Sequence, residues 1–261
     1  MHFPSVQRSL FALLCLAAAP FASASFIVDP TGGSNITFSS SDDAQVTRNL
    51  GGTFSLYGSP VTSLQISTNG LISNAADIAT RFLDSDLHDL GVQTGANVIA
   101  PFYDDLILGA GSTVSDKSVA NTYYALTYQG IFGIGDQTAG RTSDFQVVLF
   151  MADTVIGGFQ FRARDIAFSY GTLNSQVRSN TFTVGVANSI TRSGTPASVD
   201  GQLTNFSTLP TGSQFLLYRP FAEGFSDYVD SIQSLDSTVP EPATVVLAGL
   251  GIALFAFLKR R

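Results

Sequence analysis

The residues of this chain that could do chemistry are few, and most of them are aspartates. There are two histidines, His2 and His88, and one cysteine, Cys15. A serine triad would need one of these histidines, and no serine sits in a Gly-x-Ser-x-Gly turn. His88 lies in the acidic run DSDLHD and reads as a solvated loop residue rather than a general base. A histidine-based zinc site lacks ligands. Asp84, Asp86 and Asp89 place three carboxylates at close spacing, where a hard cation such as Ca²⁺ would find oxygen ligands. Their spacing does not match the EF-hand loop, and a solvated acidic turn is the simpler reading. Asp104 and Asp105 are adjacent. On a strand they would point to opposite faces and could not flank one glycosidic bond. Turn capping is the plainer role for Asp105. No cofactor is expected, calcium being the open exception.

The two ends carry more specific patterns. His2 and Arg8 precede an apolar run from Leu10 to Ala19, and Ala22-Ser23-Ala24 supplies small residues for cleavage. This is the layout of a secretory signal peptide over 1–24. Cys15 falls inside it, so the mature chain would contain no thiol and no disulfide. At the other end, Ala243 to Leu258 carries no charge and is followed by Lys259-Arg260-Arg261. Sixteen residues is short for a membrane span, which takes roughly twenty. The basic triplet would stay on the cytoplasmic side.

Pro240-Glu241-Pro242, the apolar segment and the terminal basic residues together resemble the PEP-CTERM sorting signal of Gram-negative bacteria. The resemblance covers 239–261, with a transmembrane helix at 243–258. It implies recognition by exosortase, removal of the helix, and release to the cell surface or an exopolysaccharide matrix. The membrane would be a temporary anchor. Signal peptidase and exosortase are then the expected partners in export.

Between the two signals the chain is acidic. The whole sequence has a net charge of −7, and four of its basic residues lie in the end segments. That balance argues against nucleic acid as a partner. Of the 20 acidic residues only Glu223 and Glu241 are glutamates. Aspartate favours turns and disfavours helix interiors. The aromatic residues are 21 Phe and 8 Tyr, with no Trp. Tyr123, Tyr124 and Tyr128 read as strand positions rather than a sugar-stacking face.

These features call for short strands joined by Gly, Ser and Asp turns. Residues 25–44 read as a flexible entry. VTSLQISTNGLIS, 61–73, alternates in polarity and then turns at Asn69-Gly70, a strong hairpin signal. Residues 74–90 read as a short helix or an ordered loop. VIAPFYDDLIL, 98–108, returns to strand, and Pro101 belongs at an edge, a strand start or a bulge. DFQVVLFMAD, 144–153, is apolar on both faces and therefore central. TFTVGVAN, 181–188, turns Phe182, Val184 and Val186 the same way. QFLLYRP, 214–220, is expected as the last strand, with a linker over 221–238. The fold class is all-β, an antiparallel sandwich or barrel-like ectodomain flanked by the cleavable N-terminal signal helix and the C-terminal apolar helix.

LQISTNGLIS, VIAPFYDDL, DFQVVLF and TFTVGVAN resemble the successive blocks of a nidogen-like (NIDO) domain, assigned to 45–220. Asn69 and Gly70 fall on its Asn-Gly turn. Ala100, Pro101, Phe102, Tyr103 and Asp105 fall on its Ala-Pro-Phe-aromatic block. Tyr103 stands where the family usually has Trp. The resemblance implies an extracellular adhesive domain without catalysis.

The expectation is an exported, non-catalytic surface or matrix protein, adhesive and associated with biofilm exopolysaccharide. Matrix polysaccharide or a surface protein would be its partner, contacted through loops 109–119, 130–143 and 189–213. A secreted glycoside hydrolase acting on matrix polysaccharide and a calcium-dependent binding module are the alternatives.

Overall fold

The computed structural model describes residues 26–74, 78, 96–173, 182–188, 199–203, 209–221 and 228–235. In chain order the strands are β1 (Ser34–Asn35), β2 (Gln45–Leu56), β3 (Ser59–Ser67), β4 (Ile72–Ser73) and β5 (Val98–Tyr103). They continue with β6 (Leu106–Ile107), β7 (Thr113–Val119), β8 (Tyr123–Gly133), β9 (Thr142–Phe150), β10 (Thr154–Ile156) and β11 (Phe159–Phe161). The last are β12 (Ile166–Leu173), β13 (Thr183–Ala187), β14 (Val199–Leu203), β15 (Gln214–Pro220) and β16 (Tyr228–Ser234).

These strands form the expected antiparallel sandwich. The larger sheet runs β1-β7-β8-β9-β12-β15-β16, with β6 also paired to β8. The smaller runs β14-β13-β5-β4-β3-β2. β9 occupies the middle of the larger sheet, as its doubly apolar sequence requires. Phe145, Val147 and Leu149 point into the inter-sheet core, while Val148 and Phe150 point outward. A short hairpin, β10-β11, covers part of that outward face. Gly157 and Gly158 make its turn with φ of +56° and +81°. A two-residue turn with positive φ at both positions matches the twist of the flanking strands.

A row of rings crosses the core. Tyr128 stacks on Phe145 at 4.5 Å, Phe145 lies 5.4 Å from Phe102, and Phe102 stacks on Phe182 at 5.1 Å. The first two belong to the larger sheet and the last two to the smaller. Each fully buried ring contributes about 1.5–3 kcal/mol of transfer free energy, so this row holds the layers together.

Of the register shifts in the two sheets, two bear on how the expected blocks pack. Between Asn49 and Phe54 the β2-β3 register shifts. Gly51 there has a φ of +74°, and a side chain at Gly52 would meet Met151 and Asn121. Because of the shift, Val61, Leu64 and Ile66 all reach the core although they do not share a parity. The second bulge lies between Thr183 and Gly185, opposite Pro101 and Phe102. Pro101 thus sits in a central strand, at the one kind of interior position that tolerates a missing N–H donor.

Several boundaries differ from the sequence expectation. Residues 26–44 are packed against the domain rather than loose. Ile27 and Val28 are buried on the outer face, and Ile36 enters the core. The Val28 N–H donates to Gln146 Oε1 at 3.0 Å, and Gln146 Nε2 donates to the Val28 carbonyl at 2.7 Å. Apolar side chains and a matching buried amide hold this segment, not a regular repeat. The expected linker over 221–238 contains β16, which pairs with β15 along seven residues. Of loop 109–119, Thr113–Val119 is strand β7, and of loop 189–213, Val199–Leu203 is strand β14. Residues 79–90 lie outside the described residues, so the helix-or-loop alternative there stands as it was.

Candidate functional site

The two blocks centred on Asn69-Gly70 and on Ala100–Asp105 are brought together. The turn is buried, not a surface hairpin tip, and Asn69 is fully enclosed. Gly70 has a φ of +74°, and a Cβ there would collide with the Phe102 carbonyl oxygen. Asn69 Oδ1 accepts the Leu106 N–H at 3.0 Å, and Asn69 Nδ2 donates to Asp43 Oδ1 at 3.0 Å. The Asn69 carbonyl accepts the Asp104 N–H at 3.4 Å. Tyr128 Oη donates to the Ser67 carbonyl at 2.8 Å, and Tyr170 Oη donates to the Pro101 carbonyl at 2.8 Å. Here side chains satisfy the backbone groups of an irregular buried segment.

Asp104 and Asp105 lie in a bend between β5 and β6, not within a strand. Asp104 Oδ1 accepts the Asp105 N–H at 2.8 Å, which caps the bend. Asp105 is buried, and its carbonyl accepts the Ile134 N–H at 2.8 Å. Tyr103 and Ala100 face the opposite side of the smaller sheet and pack with Leu71, Ile78, Val98 and Ala187. Asp84, Asp86, Asp89 and His88 lie outside the described residues, as do Ala22, Ala24, Pro240, Glu241, Pro242, Lys259, Arg260 and Arg261. Among the described residues no three His, Cys, Asp or Glu side chains converge on one point.

Three ion pairs among the described residues were not foreseen: Arg141 Nε reaches the buried Asp136 at 3.1 Å within the β8-β9 connection, and two others join separate parts of the chain. Arg48 on β2 clasps Asp116 on β7 through Nε at 2.8 Å and an Nη at 2.9 Å, bridging the two sheets. Tyr124 Oη donates to the same carboxylate at 3.1 Å. Arg48's own hydrogen bonds to Asp116 raise its guanidinium above the ordinary value; burial first, and then the Asp116 charge, raise the Tyr124 phenol. The third pair is Arg219 on β15 with Asp165, whose carboxylate is fully buried. Arg219 Nε reaches one carboxylate oxygen at 2.9 Å and an Nη reaches the other at 2.6 Å, while the Arg162 N–H donates to the second at 2.8 Å. Single charged residues on separate strands carry no spacing signal, so only the fold discloses such pairs.

An open groove of about 620 Å³ lies on the outer face of the larger sheet beside the Arg219 and Asp165 pair. Gln160 and Arg162 form one wall, Leu217 and Arg219 the floor, and Ser231 and Gln233 the other wall. Phe221 stands at its end, 79% exposed. None of the expected ligand-contacting loops lines this groove. Its residues come from β15, from β16 and from the β10-β11 hairpin. Val229 and Ile232 on β16 are three apart and fall on opposite faces, which is why no period-2 pattern marked that strand.

Two protein-family models match the chain. A model described as NIDO related matches residues 20–220, and one for the PEP-CTERM protein-sorting motif matches residues 238–261. No curated protein and no solved structure matches the chain.

Proposed function

The chain belongs to the NIDO-related family and carries a PEP-CTERM motif that implies export, processing by exosortase and surface sorting; on that premise we propose that it is a non-catalytic adhesive protein of the extracellular matrix. The observation that carries this reading is an open, mixed polar and apolar groove on a cross-braced sandwich, in a chain sorted to the surface. The aspartates most deeply placed among the described residues serve the framework. Asp165, Asp136 and Asp116 hold arginines, and the half-buried Asp104 caps a bend. A groove of this kind makes shallow, individually weak contacts. Retention would then come from many copies acting on one polymer, where effective concentration replaces intrinsic affinity.

The test is incubation of the exported protein with the producing cell's own exopolysaccharide, followed by sedimentation and a reducing-end assay. Co-sedimentation without new reducing ends is expected. New reducing ends that vanish in Asp104→Asn or Asp105→Asn would instead establish a hydrolase.

A further inference from the structure

We propose that the groove between the β10-β11 hairpin and β16 binds an acidic polysaccharide, one bearing carboxylates of the uronate type. This rests on the matrix-binding reading and names its ligand class. The Arg162 guanidinium is exposed and makes no hydrogen bond or ion pair among the described residues. It stands free at the wall of the groove, a local cation on a chain that is otherwise acidic. Arg219, by contrast, is held by Asp165 and stiffens the floor. A planar guanidinium offers paired donors to a carboxylate.

The remaining lining suits the rest of a sugar ring. Ser231 and Gln233 on one wall and Gln160 on the other present hydroxyl and amide groups that both donate and accept. Phe221 and Leu217 offer apolar surface to C–H faces. A peptide strand fits less well. β15 is paired on one side with β12 and on the other with β16, so the floor has no free backbone edge for strand addition. Recognition at the floor must therefore run through side chains.

The exported protein is titrated with oligogalacturonate, with neutral dextran oligosaccharides and with poly-glutamate. Oligogalacturonate should bind, weaken roughly tenfold in Arg162→Gln and weaken further as salt rises. Dextran and poly-glutamate should bind much more weakly. Arg162→Gln should leave the melting temperature unchanged, since its side chain is exposed. Ser231→Trp, which fills the groove, should also abolish binding. Equal binding of dextran or poly-glutamate, or oligogalacturonate binding unaffected by Arg162→Gln, would overturn the assignment. Sedimentation with the producer's matrix separates the two readings. Protein that pellets with the matrix but ignores oligogalacturonate defeats the groove assignment alone. Protein that binds oligogalacturonate but never pellets defeats the matrix reading alone.

Discussion

Gly70 and Phe102, thirty-two positions apart in sequence, meet with no room for a β-carbon between them. Gly70 holds a φ of +74° and its Cα faces the Phe102 carbonyl, while the Phe102 ring stacks on Phe182 and contacts Phe145. One residue thus joins the buried turn to the aromatic row that binds the two sheets. Gly70→Ala should destabilise the protein by on the order of 2–4 kcal/mol, from positive-φ strain and steric overlap together. Urea unfolding measures this as a lower midpoint at an unchanged slope. A midpoint within error of wild type would show that the turn is not seated on Phe102.

Asn69 carries the polar half of the same contact. Asn69→Ala removes the acceptor for the Leu106 N–H and the donor to Asp43 at once. A cost of about 1–3 kcal/mol is expected, because the Leu106 N–H is left buried without its acceptor. Asn69→Asp should be no milder, since it sets a carboxylate against Asp43. Thermal melts of the two variants decide the point, and a harmless Asn69→Asp would contradict the hydrogen-bond assignment.

Much of this framework could be read directly from residue types. Phe145 to Phe150 is apolar on both faces and became the central strand. Asn69-Gly70 marked a turn, and Pro101 left an edge, a strand start or a bulge open, of which the structure has the bulge. What could not be read is what the turn touches. Asn-Gly signals a reversal through its tolerance of unusual backbone angles, and that tolerance is the same at a surface tip and in a core. Strand β16 was hidden because Tyr228, Val229 and Ile232 follow no period of two. The N-terminal segment was hidden because Gln146, its clamp, is more than a hundred positions away. The groove was hidden for the same reason, as its walls come from β11, β15 and β16.

Arg219→Ala should be the most damaging of the charge substitutions. It leaves the fully buried Asp165 carboxylate without its cation, a loss of about 3–5 kcal/mol for a buried pair broken on one side. Arg48→Ala should cost less, because the Asp116 carboxylate it strands is 10% exposed whereas Asp165 is wholly enclosed. Chemical denaturation of both variants checks the order, and the reverse ranking would contradict the burial assigned to Asp165.

Alkaline conditions should weaken the fold. Burial raises the phenols of Tyr124, Tyr128 and Tyr170 above the ordinary 10.0. For a group whose folded value is raised, the contribution to stability is complete below the unfolded value and is lost as pH climbs past it. The unfolded chain ionises these phenols near pH 10 and the folded chain does not. Melting temperature should therefore hold to about pH 10 and fall above it. Tyr128→Phe, with one such group fewer, should fall less steeply. A flat profile up to about pH 11 would place these hydroxyls in solvent.

Processing should depend on the tail rather than on the domain. Replacing Pro240, Glu241 and Pro242 by alanine alters the matched sorting motif and lies outside the NIDO-related match. The variant should stay uncut and membrane-held, with a higher mass than the wild-type product. Normal release at the wild-type mass would remove the motif from the sorting step.

The most direct measurement is the distribution of the native protein in a growing culture. Cells, extracellular matrix and medium are separated and each is probed by mass spectrometry for the chain lacking its C-terminal apolar segment. A matrix-adhesive protein should be found mainly in the matrix fraction, survive dilution washes and be released by high salt or by enzymatic digestion of the polysaccharide. Processed chain found free in the medium, with none retained by the matrix, would contradict the adhesive role.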